Sequence, residues 1–161
     1  MNTAYLLIGG NLGNRKENLL TAISLINEQC GSLTKSSSIY ETEAWGKTDQ
    51  PSFLNQALEI ATSLNARQLL RRILKIEKTM GRIRKEKLGP RLIDIDILLY
   101  GNEIHDLRFL KIPHPEMHNR RFALVPLAEI NAALQHPVLK KTIAELLEEC
   151  PDNLEVRKIV D

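Results

Sequence analysis

Apolar and polar positions along the 161 residues change their period several times, and each change marks an element. Tyr5-Leu6-Leu7-Ile8 is an unbroken apolar run ended by Gly9-Gly10, which predicts a buried strand entering a loop. Asn14 with Glu17 three residues on opens a helix carrying Leu19, Ile23, Ile26 and Cys30 on one face and stopping at Gly31. A strand is expected over Leu33 to Tyr40, and Gly46, Asp49 and Pro51 place a loop over Glu41 to Pro51. Phe53 to Leu64 alternates, with Leu54, Leu58, Ile60 and Leu64 on one face and Phe53, Asn55, Ala57 and Glu59 on the other.

Asn65 with Gln68 opens a second helix bearing Leu69, Ile73, Ile76 and Met80 and ending at Gly81. After the basic segment 82–91 comes a strand over Leu92 to Tyr100. The last third is expected to be mostly helical, with Asn119 and Thr142 as caps, Glu145 three residues behind Thr142, Pro137 and Pro151 as stops, and a strand over Leu154 to Val160. Strand, helix, strand, strand, helix, strand is the split βαβ order. The expected class is therefore α+β, a ferredoxin-like antiparallel sheet flanked by helices in three layers, α-β-α.

Composition narrows the picture without deciding it. With 43% hydrophobic residues, one domain spanning 1–161 is expected. The 22 basic and 20 acidic residues balance, which does not advertise a nucleic-acid or membrane protein. Cys30 and Cys150 form no C-x-x-C pair, and no basic, apolar leader or bilayer-length apolar run occurs, so a cytoplasmic location is expected.

The chemistry concentrates at Leu92-Ile93-Asp94-Ile95-Asp96-Ile97-Leu98-Leu99. A side-chain period of two puts Asp94 and Asp96 on one face and Ile93, Ile95, Ile97 and Leu99 on the other. Two carboxylates roughly 6–7 Å apart along a strand repel unless cations join them, and Mg²⁺ prefers such oxygen ligands. The competing reading is a strand with one solvated face. The cation-rich loop Arg82-Ile83-Arg84-Lys85-Glu86-Lys87-Leu88-Gly89-Pro90-Arg91 runs directly into this strand, and cations opposed to a metal pair suit a polyphosphate. Gly9-Gly10-Asn11-Leu12-Gly13-Asn14 matches neither common Gly-rich phosphate motif and reads as a turn shaping a pocket wall. His114, between two prolines, is expected at the surface and able to donate to a phosphate.

Several separated blocks resemble the 6-hydroxymethyl-7,8-dihydropterin pyrophosphokinase family across essentially the whole chain. They are Gly9-Gly10-Asn11-Leu12-Gly13, Tyr40-Glu41-Thr42 with Asp49 to Asn55, Gly89-Pro90-Arg91-Leu92-Ile93-Asp94-Ile95-Asp96-Ile97-Leu98, and Pro113 to Phe122. The resemblance implies transfer of the pyrophosphoryl group of Mg-ATP to 6-hydroxymethyl-7,8-dihydropterin, by a monomer needing no nucleic acid or membrane. It further implies two Mg²⁺ on Asp94 and Asp96, with Arg82 and Arg91 closing over the phosphates. Leu70, Glu77, Arg84, Ile97, His114 and Arg120 would complete the ATP site. Thr42, Trp45, Phe53, Asn55 and Phe122 would enclose the pterin, with the two Phe rings sandwiching it. In a chain only 4% aromatic, Phe53 beside Asn55 suits a flat polar heterocycle.

The sequence departs from the family pattern at three places. Gly10 replaces a Ser, Leu88 stands where an aromatic residue often precedes Gly-Pro-Arg in a loop one residue shorter, and Phe109 and Lys111 occupy positions of an Arg and a Thr. The rivals are another Asp-x-Asp nucleotidyltransferase, which would release pyrophosphate, and an RNA-reading ferredoxin-like module. The strands lack the exposed aromatic pairs that such a module uses.

Overall fold

The computed structural model describes residues 1–43, 51–81 and 92–159. Among these residues one antiparallel sheet organises the molecule. Its central strands are β1 (Asn2–Gly10) and β4 (Phe53–Thr62), paired along their whole length. β5 (Asp94–Tyr100) flanks β1, while β2 (Ser32–Ser36) and β3 (Tyr40–Thr42) follow one another along the other edge of β4. β8 (Arg157–Lys158) extends the sheet beyond β3. Fourth, first, third, second is the order of a ferredoxin-like sheet, as the element order predicts.

The two faces carry separate cores. α1 (Arg15–Gln29) and α2 (Ala66–Thr79) bury Leu19, Ala22, Ile26, Leu69, Ile73 and Ile76 against Leu6, Ile8, Leu58, Ile60, Ile95 and Ile97. α3 (Arg121–Asn131) and α4 (Ile143–Glu149) cover the opposite face, where Leu124, Leu127 and Ile143 meet Tyr5, Leu7, Ala57 and Leu99. The expected three-layer arrangement follows, because helices from both halves of the chain need an apolar face to bury. The caps read from the sequence form: Asn14 accepts from the Glu17 amide, and Asn65/Gln68 and Thr142/Glu145 each make a complete capping box.

Five expectations need correction. The segment Leu33 to Tyr40 is two strands, because Ser37 interrupts the edge: its N–H donates to Ala57 O and its Oγ accepts from the Ala57 amide, both at 2.9 Å. Leu64 lies beyond the end of β4. Leu99 does not share a face with Ile97. A register shift between Tyr5 and Leu6 leaves Leu98 as the extra residue of β5, and Leu99 turns to the α3 side. Asn119 belongs to a 3-10 turn, Met117–Asn119, and caps no helix; the first amide of α3, Arg121 N, donates instead to Asp152 Oδ2 at 3.0 Å. The last third also contains a hairpin, β6 (His105–Leu107) with β7 (Leu110–Ile112), so it is less helical than its caps suggest.

Candidate functional site

The alternation of β4 and β5 brings the polar residues of the α3 face to one end of the sheet. In register across four strands lie Asp94, Gly9, Asn55 and Tyr40, and one step inward lie Asp96, Leu7 and Ala57. Neighbouring strands are about 4.8 Å apart, so Asp94 and Asn55 stand roughly 10 Å from each other with Gly9 between them. A cavity of about 310 Å³ opens over this row. Thr42, Phe53, Asn55, Asp94 and Asp96 form its floor, and Arg120, Phe122, Glu116 and Asp152 form its far wall.

Glycine at position 9 is dictated by close approach. A Cβ there would stand 2.2 Å from Asn55 Oδ1 and 2.8 Å from Leu54 O, so the Asn55 amide occupies the space that a side chain at position 9 would take. Asn55 and Thr42 are only 6% and 3% exposed, line the cavity, and have no side-chain hydrogen bond among the described residues. Both residues are largely enclosed yet line the cavity, which leaves their amide and hydroxyl available to a ligand there. Phe53 and Phe122 line the same space, and among the described residues their rings make no contact with each other. The Arg120 guanidinium lies 5.6 Å from the centre of the Phe122 ring.

The carboxylates lie at the other end of the cavity. Asp94 and Asp96 are half-buried on one face of β5. No cluster of three or more His, Cys, Asp or Glu able to hold a metal occurs among the described residues. A pair of oxygen donors fits Mg²⁺, which keeps waters and takes its remaining ligands from substrate phosphates, better than a cation needing a protein cage. Glu43, Glu116 and Asp152 also line the cavity, together with the guanidinium of Arg120.

Of the described nucleotide-site candidates, Arg120 lines the cavity, whereas Glu77, His114, Ile97 and Leu70 do not. Glu77 is buried on α2, and its Oε2 accepts the Ile95 amide at 2.8 Å along the outer edge of β5. The His114 amide donates to Leu98 O at 3.0 Å on the same strand, and Ile97 between them is buried in the α1/α2 core. Leu70 is partly buried on α2 against that core. These residues thus follow β5 and α2, while Asp94 and Asp96 face the cavity. His114 is more enclosed than a surface residue: burial, and then the Arg120 charge, push its imidazole down to about 4, with Glu116 opposing. Its Nδ1 accepts the Glu116 amide at 3.1 Å, so the neutral ring carries its proton on Nε2 and can donate but not charge near pH 7. Trp45, Arg82, Arg84 and Arg91, also expected at the site, lie outside the described residues.

Sequence reasoning missed Gly9 as a spacer, Tyr40 beside Asn55, and Glu43, Glu116, Asn119 and Asp152 in the lining. Only cross-strand register exposes the first two. Asp152 arrives from beyond α4 and has no local signal.

Comparison with known proteins agrees with this geometry. The family model described as 7,8-dihydro-6-hydroxymethylpterin-pyrophosphokinase matches residues 5–132. The chain is 43% identical over 149 residues to the 2-amino-4-hydroxy-6-hydroxymethyldihydropteridine pyrophosphokinase of Aquifex aeolicus, covering 92% of each. It is 46% identical over 130 residues to the Bacillus subtilis protein of that name, covering 80% of this chain and 78% of the other. Among solved structures, wild-type Plasmodium falciparum HPPK-DHPS aligns with a TM-score of 0.73 at 20% identity, over 92% of this chain and 43% of that longer one, a likeness of fold.

Proposed function

The chain belongs to the 7,8-dihydro-6-hydroxymethylpterin-pyrophosphokinase family, and from that membership we propose how its residues divide the work. The enzyme is an ATP-dependent pyrophosphokinase that passes the pyrophosphoryl group of ATP to 6-hydroxymethyl-7,8-dihydropterin in folate biosynthesis, acting through one domain over residues 1–161. The observation that carries the division is the pair of buried polar side chains, Asn55 and Thr42, facing a cavity that ends in the paired carboxylates.

The pterin ring occupies the space between Phe53 and Phe122, with its polar edge on the Asn55 amide and the Thr42 hydroxyl. Ring faces then meet aromatic surface, and the ring's polar edge meets the amide and hydroxyl that line the cavity. The ring's hydroxymethyl arm is directed along the Asp94–Gly9–Asn55 row toward β5. Asp94 and Asp96 hold two Mg²⁺ with the nucleotide. When bound, Mg²⁺ neutralises the phosphate oxygens as charge develops on them. Leu70, Glu77 and Ile97 support the nucleotide along β5 and α2, His114 offers its Nε2–H to a phosphate oxygen, and Arg120 supplies a guanidinium at the cavity wall. Arg82, Arg84 and Arg91 add charge from the basic segment, and Trp45 completes the pterin enclosure.

The hydroxymethyl oxygen forms a bond to the β-phosphorus as the bond from that phosphorus to the α,β-bridging oxygen breaks. AMP departs and the hydroxyl proton passes to water. The protein's contribution is alignment and charge stabilisation, with no covalent intermediate. Titration calorimetry tests the division. Asn55→Ala is expected to weaken pterin binding while sparing the nucleotide, and Asp96→Asn to weaken the magnesium nucleotide while sparing the pterin. Equal effects of both variants on both ligands would refute two separate subsites.

A further inference from the structure

The two walls of the cavity come from different elements. Asn55, Phe53 and Thr42 stand on β4 and β3, whereas Arg120 and Phe122 stand at the entrance to α3. A ring-shaped slot keeps its width only if α3 is held at a fixed distance from those strands. Glu129, on the same helix two turns beyond Phe122, reaches across this gap. Its carboxylate accepts from the Tyr40 hydroxyl at 2.5 Å, from the Ser38 amide at 2.9 Å and from Ser38 Oγ at 3.2 Å. Seven residues bring a helix back to nearly the same face after about 10 Å of rise, so Phe122 and Glu129 look toward the sheet from one side of α3.

Tyr40 has no freedom to follow a different partner. It is 8% exposed, and it pairs directly with Asn55 across β3 and β4, so the two side chains lie side by side on the cavity face. The Tyr40–Glu129 bond therefore joins the immediate neighbour of the pterin-facing amide to the helix that carries the opposing ring. A short bond from a hydroxyl to a carboxylate is among the stronger hydrogen bonds, and two donors from Ser38 fix the same carboxylate. Lys158, opposite Tyr40 on β8, adds a favourable charge to Glu129.

We propose that Tyr40 and Glu129 are positioning residues for the pterin slot, setting the separation between the Asn55/Phe53 wall and the Phe122 wall without touching either substrate. The inference rests on the pterin assignment above. It predicts a selective defect: loosening the clasp widens the slot but leaves the nucleotide side, along β5 and α2, as it was.

The experiment is titration calorimetry of Glu129→Ala, Glu129→Gln and Tyr40→Phe with a non-hydrolysable ATP analogue alone and then with the pterin, alongside steady-state kinetics and thermal denaturation. Glu129→Ala is expected to raise the pterin Kd and KM about 10-fold, with the analogue Kd changed less than about twofold. Glu129→Gln, which keeps an acceptor oxygen but loses the charge, should fall between Glu129→Ala and wild type. Tyr40→Phe, which removes one hydroxyl and keeps the ring, should reproduce the pterin defect if Glu129→Ala fails to fold. Unchanged pterin affinity in folded Glu129→Ala or Tyr40→Phe would overturn the proposal, as would equal loss of both ligands. Asn55→Ala separates the two ideas: if it too leaves pterin affinity intact, the pterin assignment of the cavity fails, whereas a defect in Asn55→Ala alone rejects only the clasp.

Discussion

Adding one methyl group at position 9 tests the site at its most crowded point. In Gly9→Ala the new Cβ would sit 2.2 Å from Asn55 Oδ1 and 2.8 Å from Leu54 O, against ordinary contacts of 3.4 Å or more. The Asn55 amide must retreat by more than an ångström. The Leu54 carbonyl is backbone of β4 and can yield only by straining its pairing with β1. Overpacking of this kind costs about 1–3 kcal/mol of stability. Under the proposed pterin assignment, displacing the amide also removes its hydrogen bonds to the pterin edge, worth about 1–3 kcal/mol, or roughly 5- to 150-fold in Kd. Chemical denaturation and pterin titration in the presence of an ATP analogue measure the two terms separately. The double variant Gly9→Ala/Asn55→Ala relieves the 2.2 Å contact but not the 2.8 Å one, so it should recover part of the stability and none of the affinity. Gly9→Ala with wild-type pterin affinity, or a double variant no more stable than the single one, would refute the reasoning.

Asp94→Asn and Asp96→Asn should each lower kcat by about 10²-fold or more at modest Mg²⁺ with the melting temperature nearly unchanged, checked by an Mg²⁺ titration of turnover. Asn65→Ala removes the side-chain acceptor of the Gln68 amide, one of the two bonds of the α2 capping box, and should cost about 1 kcal/mol, read from urea denaturation. His114 is held neutral in the fold at about 4, below its ordinary 6.5, so its contribution is full above pH 6.5 and is lost as pH falls toward 4, because the unfolded chain takes up the proton first. The shift corresponds to about 3 kcal/mol at 1.36 kcal/mol per pH unit. Stability in His114→Gln should therefore fall less steeply between pH 6.5 and 4, and an imidazole titration of His114 centred near 6.5 would contradict this.

Local signals carried most of the fold. Asn14, Asn65 and Thr142 mark helix starts because a cap is a chemical event within three residues, and the structure places all three as read. Asn119 failed for the complementary reason: the amide at the start of α3 is satisfied by Asp152, thirty-one residues from Arg121 and invisible to any local pattern. Strand periodicity put Asp94 with Asp96 and Phe53 with Asn55, but it could not see the extra residue at Leu98, since a bulge depends on the partner strand. The cavity itself required register. That Gly9 must lack a side chain because Asn55 crosses it is a fact about β1 and β4 together. His114 is half-buried, and that burial with the Arg120 charge lowers its pKa in a way its flanking prolines did not indicate.

Which bond of ATP breaks is the central claim, and ATP labelled at its β-phosphorus reads it directly. Incubated with Mg²⁺, 6-hydroxymethyl-7,8-dihydropterin and the enzyme, the label is predicted to appear on the pterin as a diphosphate, with one AMP released per pterin consumed. That product should be lost in Asp94→Asn and Asp96→Asn. Label released as pyrophosphate with a nucleotidylated pterin, or retained in ADP beside a pterin monophosphate, would contradict it.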